Sequence, residues 1–126
     1  MRLTKERHIK ILYVEDNPVA TKNAQRVAAD LEYDMLIAAT VADGIALLDQ
    51  SLDLIMVDME LPDGNGLTLI RQARHQMPIV PIVAISGYAL LGEEKECMEA
   101  GCTEYIRKPV TLAQMTDFLK RYAPPE

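Results

Sequence analysis

Three acidic side chains each follow a short run of mostly apolar residues. Glu15 and Asp16 come after the run at residues 9–14, and Asp58 comes after the run at residues 54–57. A single acid at a strand end is most often only a polar residue before a turn. Carboxylates from several strand ends could instead bind Mg²⁺ through hard oxygen ligands, and Asp58 could act as a nucleophile. The pattern indicates an acidic cation site, provided that the strand ends meet.

Two other side chains follow later apolar runs: Ser86 comes after residues 82–85, and Lys108 comes after residues 104–107. A hydroxyl group and a point positive charge both suit the oxygens of a phosphoryl group. A magnesium ion, a carboxylate nucleophile, a lysine and a hydroxyl together match what phosphoryl transfer to an aspartate requires. The residues taken singly are ordinary polar strand ends, but the set as a whole favours a site.

The spacing of apolar residues predicts alternating strands and helices that would position these side chains. The strands are predicted at residues 9–14, 34–39, 53–57, 82–85 and 104–107, and the helices at 18–31, from 41, 67–74, 90–100 and from 112. This βαβαβαβαβα order predicts an α/β fold, a parallel sheet with five helices on two faces. For five strands we expect the flavodoxin-like order 2-1-3-4-5, with the first and third strands adjacent.

Capping signals mark two of the predicted helices. Asn17 is a plausible N-cap before Pro18, and Thr111 with Gln114 has the spacing of a capping box. The last helix is predicted to bury Leu112, Met115, Phe118, Leu119 and Tyr122. The pair Leu90 and Leu91 fits either a core position or an exposed contact for a partner.

The size and charge of the chain exclude some classes of function. Its 126 residues fit one domain at 9–122, with an extension at 1–8 and a tail or linker at 123–126. A net charge of −6 disfavours nucleic-acid binding. No apolar run is long enough for a membrane span, so we expect a cytoplasmic protein. Cys97 and Cys102 are expected to be reduced core residues, and no zinc-ligand pattern is present.

From residue 9 to residue 122 the chain resembles the receiver domains of two-component response regulators. The resemblance rests on Val14-Glu15-Asp16-Asn17, on Asp58 followed by Leu61-Pro62-Asp63-Gly64 and Gly66, on Ser86-Gly87, on Lys108-Pro109, and on Ala100-Gly101-Cys102 with Tyr105. These motifs, in this order and spacing, are highly specific together. Serine at position 86 stands where the family more often has threonine, and it keeps the hydroxyl group.

The resemblance implies that Asp58 accepts a phosphoryl group from a histidine of a partner kinase or histidine phosphotransfer domain. Asp16 and Asp58 would bind Mg²⁺ directly, with Mn²⁺ as an alternative ion. Glu15 would help through water, and the backbone carbonyl of Glu60 would complete the protein ligands. Lys108 would hold a phosphoryl oxygen. The domain would catalyse its own phosphorylation and dephosphorylation without being an enzyme in the usual sense.

The resemblance also implies a conformational switch. Ser86 would move toward the phosphoryl group and Tyr105 would rotate inward, which would change the face made of the fourth helix, the fifth strand and the fifth helix. That face would serve protein–protein output, and it is also the candidate surface for a dimer. Glu60 and Tyr88 occupy positions that tune the phosphorylated lifetime in the family. We expect Tyr88 to shield the phosphoryl group and Glu60 to pair with a lysine, with Lys108 as the candidate.

Three other functions compete with this interpretation. An aspartate-nucleophile phosphatase would need a DxD motif, with a second aspartate two residues after the nucleophile as general acid. That position holds Glu60, followed by Leu61-Pro62. A pseudo-receiver that binds partners without phosphorylation would not need the full acidic set. A flavodoxin is disfavoured because the loop after the first strand is acidic. The chain could be a stand-alone regulator, part of a hybrid histidine kinase or part of a longer regulator. Residues 123–126 are too few to form a DNA-binding domain.

Overall fold

Five parallel strands and five helices make up the part of the chain that the structure describes. The computed structural model describes residues 9–123, so the predicted extension at 1–8 and most of the predicted tail at 123–126 lie outside it. The strands are β1 (Lys10–Val14), β2 (Asp34–Ala38), β3 (Leu54–Asp58), β4 (Ile82–Ser86) and β5 (Glu104–Arg107). The helices are α1 (Pro18–Asp30), α2 (Val41–Ala46), α3 (Leu67–Gln76), α4 (Glu93–Ala100) and α5 (Leu112–Tyr122).

The strands lie in the order β2-β1-β3-β4-β5, which confirms the predicted topology. Strands β3 and β4 are buried along their whole length, and alternate residues of each strand enter different apolar clusters on the two sides of the sheet. One cluster lies against α1 and α5, and the other against α2, α3 and α4. Burial on both sides explains why these strands read as continuous apolar runs.

The register of the sheet determines where the site forms. Val14 of β1 pairs with Val57 of β3, so the residues that follow them, Glu15 and Asp58, leave the sheet side by side. Asp58 in turn pairs with Ile85 of β4, next to Ser86. Parallel pairing therefore collects these strand ends at one edge of the sheet.

The predicted helix caps at positions 17 and 111 are confirmed. The side chain of Asn17 accepts hydrogen bonds from the amides of Val19 and Ala20 at 2.9 and 3.1 Å. At α5, Thr111 and Gln114 form the reciprocal capping box. Both helices begin where the sequence predicts, since these side chains satisfy amides that have no partner within the helix.

The fourth helix begins three residues later than predicted. Ala89 has a φ of 48° and Gly92 a φ of 82°, and these left-handed conformations interrupt any helix that would start at Leu90. Leu90 and Leu91 consequently lie in the loop and are 62% and 104% exposed. Of the two alternatives for Leu90 and Leu91, core position or exposed contact, the structure therefore favours the exposed one.

Leu112 does not belong to the buried stripe that the sequence predicts for α5. It is the first residue of α5 and is 50% exposed, whereas Met115, Phe118 and Leu119 are buried as predicted. The apolar stripe of α5 thus begins one turn later than its sequence pattern indicates.

The two cysteines, Cys97 and Cys102, are buried free thiols. No helix among residues 9–123 is long and apolar enough to cross a membrane.

The loop between β3 and α3 is fixed at its tip and at its end. Asp63 accepts hydrogen bonds from the amides of Val41 and Ala42, at 2.8 and 3.1 Å, and so joins the loop to the start of α2. At Gly66 an added Cβ would lie 2.9 Å from a methyl group of Val57 and 3.2 Å from the carbonyl oxygen of Asp58. Only glycine lets the chain pass this close to the strand that carries Asp58.

Candidate functional site

The three predicted acids meet at the edge of the sheet between β1 and β3. Carboxylate oxygens of Glu15, Asp16 and Asp58 all lie within 4.8 Å of one another. Glu15 and Asp58 are each 1% exposed, whereas Asp16 is exposed to solvent. Two buried carboxylates and one exposed carboxylate therefore form a negatively charged cluster with an open side.

Within residues 9–123, Lys108 is the cation that contacts this cluster. Its Nζ lies 3.0 Å from Oδ2 of Asp58 and 3.4 Å from Oε1 of Glu15. Partial burial lowers the pKa of Lys108, but the hydrogen bond to Asp58 and the charge of Glu15 outweigh burial, so its pKa is raised. Lys108 is thus a permanent positive charge. It balances one of the three acidic side chains, so the cluster keeps excess negative charge.

Backbone and phenol groups orient the two buried carboxylates. The amide of Glu60 donates to Oδ1 of Asp58 at 2.8 Å, and the amide of Asn17 donates to Oε2 of Glu15 at 3.0 Å. The hydroxyl of Tyr13 donates to the other oxygen of Glu15 at 3.4 Å. Our sequence analysis missed Tyr13, although the two-residue period of a strand places it on the same face as Glu15.

Burial and a shared hydrogen bond with Asp58 raise the pKa of Glu15 to about 7, against the lowering effects of the Asn17 amide and Lys108. Crowded acids are expected to behave in this way when no cation separates them. A hard divalent cation would relieve the repulsion, and the donor set consists of carboxylate oxygens. The residues present therefore fit Mg²⁺.

The raised pKa of Glu15 predicts a pH dependence of folding in cation-free buffer. A carboxyl group whose pKa is higher in the folded state favours folding at low pH, and this stabilisation is lost as the pH rises from about 4.5 to about 7. We expect Glu15→Gln to remove this loss, so that the free energy of unfolding of the variant gains about 3 kcal/mol on that of the wild type between pH 4.5 and pH 8. Urea unfolding with a chelator at both pH values measures the gain.

The exposed Glu94→Gln variant is the matched control for this measurement, and it should follow the wild type at both pH values. An equal stability difference between Glu15→Gln and the wild type at pH 4.5 and pH 8 would contradict the prediction.

Ser86 and Glu60 contact each other on the β4 side of the cluster. The buried hydroxyl of Ser86 donates to Oε2 of Glu60 at 2.8 Å and accepts from the amide of Ala89 at 2.9 Å. The amide of Gly87 donates to the other oxygen of Glu60, also at 2.8 Å. The predicted pairing of Glu60 with Lys108 is wrong, because Glu60 binds the loop after β4 and Lys108 binds the buried acids.

Tyr105 is held on the far side of β4 by an acid that our sequence analysis did not single out. Its hydroxyl donates to Oε1 of Glu93 at 2.6 Å, and Glu93 is only 9% exposed. Burial and this hydrogen bond raise the pKa of Tyr105 to about 12. The phenol therefore stays protonated and acts as the donor. Burial at the first residue of a helix is the feature that sets Glu93 apart from its exposed neighbour Glu94.

Two grooves open next to the acidic cluster. Tyr88 is 72% exposed and lines the first together with Asp16, Glu60 and Leu90. The second lies between α1 and α5, has a volume of about 480 Å³, and is lined by the residues Tyr13, Glu15, Asn17, Val19, Ala20, Asn23, Ala24, Ile85, Lys108, Pro109, Val110, Thr111, Leu112 and Met115. Val19 is 67% exposed on its rim.

Comparison with known proteins gives consistent matches along the chain. The family model described as "Response regulator receiver domain" matches residues 11–120. Hybrid signal transduction histidine kinase G of Dictyostelium discoideum is 32% identical over 129 residues, which cover 98% of this chain and 4% of that protein. Response regulator protein PilR of Pseudomonas aeruginosa is 29% identical over 111 residues, which cover 87% of this chain and 25% of that protein. The chain therefore spans a small part of these relatives.

A solved structure agrees in fold. The response regulator receiver domain protein (CheY-like) of Methanospirillum hungatei JF-1 superposes with a TM-score of 0.84 at 28% sequence identity. The match covers 90% of this chain and 92% of that chain. Sheet order and helix placement are thus shared over almost the whole length of both chains.

Proposed function

Because this chain belongs to the family of response regulator receiver domains, we propose that it accepts a phosphoryl group on Asp58 from a phosphohistidine of a partner protein. Receiver domains are signalling modules of two-component systems. The observation that carries the proposal is the buried carboxylate of Asp58, which lies beside two other acids and 3.0 Å from Lys108.

The transfer is an in-line displacement at phosphorus. One carboxylate oxygen of Asp58 forms a bond to phosphorus while the bond from phosphorus to the histidine nitrogen breaks, and the electron pair of that bond stays on the imidazole. The Glu60 amide and Lys108 hold the two oxygens of Asp58 and so orient the carboxylate before attack. Lys108 then neutralises charge on a phosphoryl oxygen of the product.

Mg²⁺ would be held by Asp16 and Asp58, with Glu15 assisting and the backbone carbonyl of Glu60 completing the protein ligands. When bound, it would neutralise the charge of the phosphoryl oxygens during transfer. Two features support this cation site: the cluster has excess negative charge, and Asp16 leaves one side open to solvent.

The phosphoryl donor would be a histidine kinase or a histidine phosphotransfer domain. The groove between α1 and α5 lies next to Lys108 and carries exposed apolar groups at Val19 and Leu112, as a docking surface for the donor would require. Phosphorylation would move Ser86 and Tyr105, and the surface of α4, β5 and α5 would pass the change to an output protein or to a second copy of the domain.

Mg²⁺-dependent labelling with acetyl phosphate tests the central claim. We expect one phosphoryl group per chain, mapped to Asp58 by mass spectrometry, and loss of labelling when the cation is chelated. Turnover of many equivalents of a small phosphate ester would favour the phosphatase, and absence of labelling with Mg²⁺ present would favour the pseudo-receiver. Either result would contradict the proposal.

Tyr88 is expected to slow the hydrolysis of the phosphoryl group by limiting the access of water. It lines the groove that leads from Asp16 and Glu60, which is the solvent side of the site. We expect Tyr88→Ala to shorten the phosphorylated lifetime several-fold, measured as the decay of label after the donor is removed. Leu91→Ala, in the same loop but outside this groove, is the control. An unchanged lifetime in Tyr88→Ala would show that the ring gives no shielding.

A further inference from the structure

Two acidic side chains outside the cation cluster contact the two side chains that we expect to move. Glu60 accepts a hydrogen bond from Ser86 at 2.8 Å, and Glu93 accepts one from Tyr105 at 2.6 Å. We call these two hydrogen bonds, together with the bond from the Gly87 amide to Glu60, the resting contacts. The first two join a proposed switch residue to a carboxylate on a neighbouring loop or helix, and the third holds the residue that follows Ser86.

We propose that Glu60 and Glu93 are positioning residues that hold Ser86 and Tyr105 in the unphosphorylated arrangement, so that phosphorylation must break the resting contacts. This inference rests on the proposed function, because it concerns the same Asp58 site. It states that Glu60 and Glu93 set the equilibrium between the unphosphorylated arrangement and the phosphorylated one.

The contact of Glu60 competes directly with a phosphoryl group. A serine hydroxyl has one proton to donate, and Ser86 gives it to Glu60. Ser86 can donate to a phosphoryl oxygen only after it releases this carboxylate. Glu60 also holds the amide of Gly87, and Ser86 accepts from the amide of Ala89, so Glu60 stabilises the whole turn from residue 86 to residue 89. Hydrogen bonds to a charged acceptor are stronger than neutral ones.

The contact of Glu93 couples β5 to α4. Glu93 is the first residue of α4 and is 9% exposed, and a buried carboxylate is costly without a hydrogen-bond donor. Tyr105 supplies that donor from β5. If the ring of Tyr105 rotates inward, Glu93 loses its donor and the first turn of α4 must move to reach water. The proposed motion of one side chain thereby changes the start of a helix.

The first test measures the unphosphorylated protein. We expect amide hydrogen exchange at Gly87 and Ala89 to be about tenfold faster in Glu60→Ala than in the wild type, since the carboxylate that holds the turn is gone. Exchange at Glu96, whose amide donates to Gly92 in the first turn of α4, should rise similarly in Glu93→Ala. Glu94→Gln is the matched control, since Glu94 is exposed and adjacent to Glu93.

The second test measures the bias of the switch. Beryllofluoride with Mg²⁺ imitates the phosphoryl group, and we expect both alanine variants to bind it about tenfold more tightly, because they no longer lose the resting contacts on binding. Glu94→Gln should bind like the wild type. If Glu93→Ala does not fold, Tyr105→Phe breaks the same contact from the other side and should give the faster exchange at Glu96.

The outcomes separate this inference from the proposed function. Wild-type exchange rates in the Glu60 and Glu93 variants would overturn the inference. Tighter beryllofluoride binding by Glu60→Ala without faster exchange would also overturn it, because charge alone would then explain the effect. If the wild type neither labels at Asp58 nor binds beryllofluoride, the proposed function fails, whereas the exchange measurement needs no phosphoryl group.

Discussion

Asp58→Asn should abolish labelling by acetyl phosphate, with a loss of roughly 10³-fold or more. The amide nitrogen of asparagine is not a nucleophile under these conditions, and an uncharged side chain binds Mg²⁺ more weakly. The fold should persist, because the side-chain oxygen of asparagine can still accept the hydrogen bond that the Glu60 amide now gives to Oδ1 of Asp58. We expect the free energy of unfolding of Asp58→Asn in cation-free buffer to equal or exceed that of the wild type, because the substitution removes one buried negative charge.

Mass spectrometry after incubation with the donor measures this effect, and urea unfolding checks the fold. Asp30→Asn, an exposed aspartate on α1, is the control with the same chemical change, and it should label like the wild type. Label that persists in the Asp58 variant, or that maps to Asp16, would overturn the assignment of the acceptor.

Lys108→Ala should lower both phosphotransfer and stability. The two carboxylates that Lys108 contacts are each 1% exposed, so its removal leaves buried charges without their cation. Breaking such a pair from one side costs about 3–5 kcal/mol when it is fully buried. Because the lysine side chain is 32% exposed, we expect about 2 kcal/mol at pH 8 in cation-free buffer.

The loss of stability should shrink at low pH and with added Mg²⁺. Protonation of Glu15, whose pKa lies near 7, removes one of the two charges, and a divalent cation takes the place of the ammonium group. Urea unfolding at pH 5 and pH 8, with and without Mg²⁺, measures this. Lys95→Ala, an exposed lysine on α4, should show neither effect. A loss of stability in Lys108→Ala that is independent of pH and Mg²⁺ would point to lost packing instead.

The strand ends of the site are predictable from sequence because they depend on backbone order alone. A βα repeat with five strands predicts the sheet order, and the sheet order brings residues 15, 16 and 58 to one edge. The caps at Asn17 and Thr111 are equally local and are confirmed. Each of these predictions needs only residue types and short spacings.

The partners of the side chains are not predictable in this way. Glu60 was expected to pair with a lysine, but the loop after β4 offers a hydroxyl and an amide at closer reach. The loop itself depends on left-handed conformations at Ala89 and Gly92, and the first of these is not a glycine. The hydrogen bond between Tyr105 and Glu93 joins β5 to α4, and the sequence pattern of neither element predicts it. Such contacts depend on rotamers and loop shape, which a periodic pattern does not describe.

The hydrogen bonds from the start of α2 to Asp63 make the two sides of the site unequal in mobility. The two loops that flank Asp58 differ in their restraints, because Asp63 fastens the loop after β3 to two backbone amides. In contrast, the loop after β4 carries exposed leucines and depends on Glu60 for its shape. Phosphorylation of Asp58 should therefore displace the loop after β4, whose hydrogen bonds run through Ser86, more than the loop after β3. We expect the conformational change to reach α4, while α2 and the loop that Asp63 fastens to it keep their positions.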